Sequence, residues 1–325
     1  MKFKHKIAAF LLSLPLFSAV AQDEIVYDQY YWNYYLVNPA VAGATRCSHI
    51  LGSFNRKWVG IEDAPMTGQL SFRTRVLKNL GIGAYGYADR NGNSLRQGGQ
   101  VSLAYHIPLS SNSGYFMKDR DLQRQLSFGL SAVISHYGFS KDLWDEEDTL
   151  NDPTVENGGR DKGFYFNANF GTYFLWDRFF AGLSIANLLP TEMEELGEKE
   201  PTRPMTFFIF TGYTFPVNET IDIEPSVMFK FNENDERQFD FNLKYEQVMP
   251  DNPDFSYWLQ LAYRHTLDSG NSNPLEFSPM GGINYKGFHL GYAYTLGLTA
   301  LNRHNSGSHS AMIGYSWCKV KKFCR

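Results

Sequence analysis

A chain of 325 residues with 30 Lys and Arg against 34 Asp and Glu carries a formal net charge of -4, which argues against a nucleic-acid binder. Past the first twenty or so residues it has no apolar run of about eighteen, the length a helical membrane span needs. A soluble β protein or a β-barrel remains, and the composition leans to the barrel: 16% aromatic residues and 28 Gly, yet a mean hydropathy of only -0.35, as expected where lumen-facing and lipid-facing positions alternate.

In chain order, Lys2, Lys4 and Lys6 precede an apolar run from Ile7 to Phe17 and the small residues Ala19, Val20 and Ala21. This is the pattern of a secretory signal peptide over residues 1–21, with cleavage expected before Gln22 and no Cys there to accept a lipid. Residues 22–46 follow, including DQYYWNYYLVNPAVAGATR from Asp28 to Arg46. Pro39 and Gly43 break this segment too often for a long helix, and its aromatics are too dense for a solvated linker.

From residue 47 the chain reads as segments of about ten residues with period-two alternation. They span 48–58, 66–76, 80–89, 100–107, 126–137, 164–176, 179–187, 205–215, 220–232, 238–248, 255–265, 280–286, 288–296 and 308–318. In QFDFNLKYEQV, Phe239, Phe241, Leu243 and Tyr245 share one face, while Asp240, Asn242, Lys244 and Glu246 share the other. A sandwich strand has the same pattern, but the connections favour a barrel. Tight turns at 176–178, 215–219 and 285–287 alternate with long polar connections at 138–162, 188–204, 266–274 and 297–307. The reading is a transmembrane antiparallel β-barrel over residues 47–318 of about 14 strands, within about 12–16, with the tight turns on the periplasmic side. Residues 108–121 form one long connection on that side, read as a periplasmic excursion in preference to a strand miscounted before it, and residues 319–325 form a basic periplasmic tail.

The chemistry-bearing motifs are weak. Gly81 to Gly86 matches the dinucleotide-binding glycine pattern but lies inside a strand, where glycine lets aromatics rest on the backbone or eases curvature. DLWDEEDTLND, residues 142–152, gathers acidic side chains without the glycine turn or ligand alternation of a calcium loop and reads as a solvated loop. The acidic residues 191–200 read as a short helical lid. His304 and His309 near Ser306, Ser308 and Ser310 form the one Ser/His cluster, with no identifiable oxyanion hole. No catalytic, cofactor-binding or metal site is assigned.

Three cysteines sit near the two ends of the mature chain and fit no zinc spacing. In an even-stranded barrel the start of the first strand and the end of the last meet at the periplasmic rim, which brings Cys47 beside Cys318. A Cys47–Cys318 bond, a Cys47–Cys324 bond, a Cys318–Cys324 bond and three free thiols all remain open.

Asp28-Gln29-Tyr30 followed by Asn38-Pro39-Ala40-Val41-Ala42-Gly43 resembles the opening of the PorP/SprF family of Bacteroidota outer-membrane proteins of the type IX secretion system. Arg56 to Ile61 with Ala64-Pro65-Met66-Thr67, and Gly291 to Thr295 with Asn305 to His309 and Ile313-Gly314-Tyr315, are similar to two further family segments. Ala293 and Ser310 depart from the carboxylates the family often has there.

The resemblance implies a non-enzymatic outer-membrane component of protein secretion or gliding motility, without cofactor. It would sit in the lipid bilayer and dock periplasmic ring lipoproteins of the secretion system or a secreted surface adhesin. The alternative is an outer-membrane channel or transporter for small solutes. Candidate plug or partner-binding residues are Tyr30, Trp32, Asn38, Pro39, Gly43, Trp58, Gly60 and Pro65. The aromatic segment precedes the first strand, so it either plugs the lumen or lies along the periplasmic rim.

Overall fold

The computed structural model describes residues 30–109, 123–139, 162–189, 204–268 and 271–318. The signal peptide, the basic tail with Cys324, the acidic segments 142–152 and 191–200, and nearly all of the 108–121 connection lie outside them.

The strands are β1 (Cys47–Arg56), β2 (Met66–Arg75), β3 (Leu80–Asn91), β4 (Ser94–Pro108), β5 (Gln123–Phe139), β6 (Lys162–Asp177), β7 (Phe179–Ala186) and β8 (Thr206–Tyr213). A two-residue β9 (Phe215–Pro216) precedes β10 (Ile221–Asn232), β11 (Arg237–Met249), β12 (Asn252–Asp268), β13 (Asn271–Tyr285), β14 (Phe288–Gly297) and β15 (Ser308–Cys318). Each long strand pairs antiparallel with the next long strand, β8 with β10 included, and β1 pairs with β15, so a closed barrel of 14 strands forms among the described residues. β9 is an extra strand that pairs with the start of β10.

Alternation places one face of each strand toward lipid and the other toward the lumen. On β4, Val101, Leu103 and Tyr105 are exposed outward, while Gln100, Ser102 and His106 are buried inward. On β11, Phe241 and Leu243 are exposed while Asp240 and Asn242 are buried, the division that the pattern of QFDFNLKYEQV predicts. With no second sheet packed outside it among the described residues, such a row of exposed apolar side chains is a surface for lipid.

The two ends of the barrel differ. The start of β1 and the end of β15 lie at one end, here the terminal rim, together with the turns at Arg178, Pro250-Asp251 and Lys286-Gly287. The opposite loop rim carries residues 57–65, 187–189, 204–205 and 298–307, but not every tight turn falls on the terminal side. Gly92-Asn93 joins β3 to β4 at the loop rim, with Gly92 at φ 57°, where a side chain is disfavoured. The expected long connection at 266–274 is also corrected. β12 runs to Asp268 and β13 starts at Asn271, leaving only residues 269–270 between them. Beyond the lipid band both strand faces are polar, so Ser272 and Asn273 give no alternation signal. The register shifts between Arg264 and His265, whose partners Glu276 and Pro274 flank Leu275, so Pro274 stands beside a bulge that spares the ladder its missing N–H.

Candidate functional site

Residues Tyr30 to Ala44 run inside the lumen as three single turns of 3-10 helix, Tyr30–Trp32, Tyr34–Leu36 and Pro39–Val41. The Asn-Pro pair starts the last of them. Pro39 fixes the first helical φ, and the Asn38 side chain accepts the Ala40 N–H at 2.9 Å. Gly43, at φ 67°, then turns the chain toward β1.

The wall holds this segment from several sides. Asn242 Nδ2 of β11 donates to the Tyr30 hydroxyl at 3.0 Å, and Asn33 Nδ2 donates to Ser71 Oγ of β2 at 2.8 Å. Tyr34 Oη donates to Ser226 Oγ of β10 at 3.2 Å, and the Tyr35 hydroxyl bonds Ser102 Oγ of β4 at 2.9 Å. Asn38 Nδ2 donates to the Thr172 carbonyl of β6 at 2.9 Å, and Ser184 Oγ of β7 donates to the Val37 carbonyl at 2.5 Å. At the terminal rim Arg75 Nε donates to the Gly43 carbonyl at 2.6 Å, and Gln125 Nε2 of β5 donates to the Ala44 carbonyl at 2.8 Å. His106 Nε2 of β4 donates to the Ala42 carbonyl at 3.0 Å. The segment therefore lies within the lumen, where a plug would, and not as a strip along the rim.

Its rings add apolar contact. Tyr34 stacks on Phe210 with centroids 4.7 Å apart and packs against Phe180, and Trp32 meets Trp258 edge-on at 6.4 Å. Burial pushes the Tyr35 phenol up to about 12 and raises those of Tyr30 and Tyr34 as well, so these hydroxyls hold their protons into alkaline pH.

Glycine in the wall makes this fit possible. A Cβ on Gly83 would fall 2.5 Å from Cζ of Tyr35, one on Gly129 would strike the Ala40 backbone, and one on Gly171 would lie 2.9 Å from Cγ of Asn38. Gly81, the first of the dinucleotide-like pattern, would strike the Ala42 carbonyl. These glycines on β3, β5 and β6 form a seat for the plug.

The candidate residues fall into two places. Tyr30, Trp32, Asn38, Pro39 and Gly43 belong to the plug. Trp58, Gly60 and Pro65 sit in the β1–β2 loop at the other rim, where the Trp58 N–H donates to Ser308 Oγ at 3.2 Å and the Val59 N–H donates to the Gly307 carbonyl at 2.8 Å. Two sequence segments of the family pattern thus meet at the loop rim. Ser308 and Ser310 face the lumen, whereas His309 bonds the Tyr292 hydroxyl of an outward-facing residue at 2.5 Å, so the Ser/His cluster does not converge. Among the described residues no group of three or more His, Cys, Asp or Glu is placed to hold a metal ion.

Sequence reasoning missed two polar sets in the lumen. Nearer the loop rim, Arg264 of β12 pairs with Asp240 at 3.2 Å and Glu276 at 3.1 Å. Nearer the terminal rim, Ser316 Oγ lies 2.7 Å from His49 Nδ1 and 2.8 Å from His289 Nε2. The row continues through Asn284, whose Oδ1 is 2.7 Å from His289 Nδ1 and whose Nδ2 donates to Glu246 Oε1 at 3.3 Å. The inward alternation of each strand was the available signal, but which strands face one another across it was not.

Among solved structures, the chain resembles the CymD monoaromatic hydrocarbon channel at 11% identity and TM-score 0.49, covering 86% of this chain and 90% of that one. It resembles a Pseudomonas aeruginosa FadL homologue at 9% identity and TM-score 0.46, covering 86% and 91%. For BamA from Haemophilus ducreyi lacking POTRA domains 1-3 the values are 9% and 0.42, covering 84% and 70%. No curated protein matches the chain. Residues 19–315 match the family described as type IX secretion system membrane protein PorP/SprF, which is nearly the whole length, and the chain belongs to that family.

Proposed function

We propose that the protein is a plugged, non-enzymatic docking component of the type IX secretion system, exported by its signal peptide and seated in the outer membrane. It holds either periplasmic ring lipoproteins at the terminal rim or a secreted adhesin on its way to the surface. The observation that carries this reading is the occluded lumen. The barrel's own residues Tyr30 to Ala44 fill it and are bonded to β2, β4, β5, β6, β7, β10 and β11, an arrangement suited to binding at the rims more than to free passage of solutes. Family membership supplies the system in which the docking occurs.

Affinity purification from native membranes tests it. Co-purification of secretion-ring lipoproteins, or of one large surface protein, is the expected result. If neither accompanies the barrel, and the purified full chain passes small solutes across liposomes, the docking reading fails and the channel takes its place.

A further inference from the structure

β2 presents alternate side chains to the lumen, Gln69, Ser71, Arg73 and Arg75, in order toward the terminal rim. Gln69 Nε2 donates to Ser53 Oγ at 2.7 Å, Ser71 Oγ accepts from Asn33 of the plug, and Arg75 grips the Gly43 and Ala44 carbonyls together with Gln125 Oε1. Arg73 is half-buried and, among the described residues, has no hydrogen bond or ion pair. The groups in electrostatic reach of its guanidinium are the phenols of Tyr35 and Tyr173 and the imidazoles of His49 and His289. None of these is a carboxylate; Glu224 of β10, which acts on Tyr173 as Arg73 does, accepts from Thr214 Oγ1 at 2.7 Å and makes no ion pair with Arg73. Glu246, further round the wall, is already engaged by Lys244 Nζ at 2.8 Å and by Ser256 and Asn284.

The register makes this a built place. His49 of β1 is paired directly with Arg73, Ser316 of β15 is paired with His49, and Gly83 of β3, the seat of the Tyr35 ring, is paired with Arg73 on the other side. Arg73 is two residues from Arg75, the end of β2, which at a strand's rise is about 7 Å from the rim. A guanidinium drawn partly out of water with no counter-ion is costly unless an anion completes it.

We infer that Arg73, flanked by His49, Tyr35 and Tyr173, is a carboxylate-binding site just inside the terminal rim, and that it takes an acidic side chain or the terminal carboxylate of an extended peptide entering there. The planar fork matches a carboxylate bidentately, and with Arg75 and Lys244 already engaged it offers one unit of positive charge, which a singly charged carboxylate neutralises. The peptide source rests on the proposal that this rim faces the periplasm and meets polypeptide partners; the anion site itself does not.

The test uses the purified full chain in detergent micelles and the fluorescence anisotropy of a labelled glutamate-rich peptide and its glutamine counterpart. The glutamate peptide should bind and the glutamine peptide should not. Arg73→Gln should weaken binding at least about tenfold, the scale of one charge-assisted bidentate contact, with heat-modifiable migration of the barrel unchanged. Arg73→Lys, which keeps the charge but loses the fork, should fall between the two and serves as the measurement if Arg73→Gln fails to fold. Arg237→Gln, at the loop rim beside Asp235, should leave binding intact. Equal binding by Arg73→Gln overturns the site, as does equal binding of the glutamine peptide. Displacement by inorganic phosphate as readily as by acetate overturns the carboxylate assignment. If peptide binding depends on Arg73 while no secretion partner co-purifies, the site stands and the docking reading falls.

Discussion

Cys47 and Cys318 face each other across the seam between the first and last strands, with Cα atoms 4.2 Å apart and their sulfurs joined. They are the outermost pair of a register that runs unbroken to Arg56 and His309. The bond therefore sits where the plug leaves the wall and the barrel closes. Non-reducing peptide mapping should recover a linked Cys47–Cys318 pair, leaving Cys324 as the thiol that accepts an alkylating label. Replacing both bonded cysteines by Ser should lower stability by about 2–4 kcal/mol, read as an earlier loss of heat-modifiable migration. Recovery of Cys47 wholly in the free form would remove the staple.

The glycine seat gives a way to expel the plug without touching it. Gly171→Val and Gly129→Val place methyl groups where Asn38 and Ala40 now lie, while Val itself suits a strand. Both variants should fold as barrels and show higher single-channel conductance than the parent, as should deletion of residues 28–43. Gly68→Val, at a position where an added Cβ meets nothing within 4 Å, is the control and should conduct like the parent. Equal conductance in all four would mean that the segment does not block the lumen.

Much of the barrel was legible because lipid on one side and water on the other impose a period of two on each strand, as in Phe239 to Glu246. The signal stops where the environment becomes uniform, which is why the polar ends of β12 and β13 read as a loop. The sequence narrowed the aromatic segment to the lumen or the periplasmic rim but did not choose between them. Tyr30 and its partner Asn242 are 212 residues apart, and only closure of the ring brings β11 to the start of the chain. Arg73 was hidden for the same reason: its neighbours His49 and Gly83 belong to two other strands, and no local pattern marks a cation that lacks a partner.

The Arg264 cluster should behave as a buried ion set. The side chains of Arg264 and Asp240 are 11% and 3% exposed, so removing the cation strands the Asp240 carboxylate in the lumen wall beside Glu276. Arg264→Met should cost about 3–5 kcal/mol, and adding Asp240→Asn should recover part of that loss. Denaturant midpoints of the single and double variants measure both effects. A single variant as stable as the parent would show that solvent reaches the cluster freely.

The plug phenols make closure sensitive to alkaline pH. The Tyr35 hydroxyl is raised from 10.0 to about 12 because docking removes it from water, with its bond to Ser102 opposing part of that shift. A group whose docked pKa lies above its free value favours the docked state fully below the free value and loses that contribution as pH rises through the docked one. Plug docking should therefore be constant up to about pH 10 and weaken progressively toward about pH 12. Single-channel conductance should rise over that interval, together with tyrosinate absorbance. Tyr35→Phe retains the ring on Gly83 but has no proton to lose, so its conductance should rise less steeply. A parent and a Tyr35→Phe variant with superimposable pH profiles would remove Tyr35 from the account of closure.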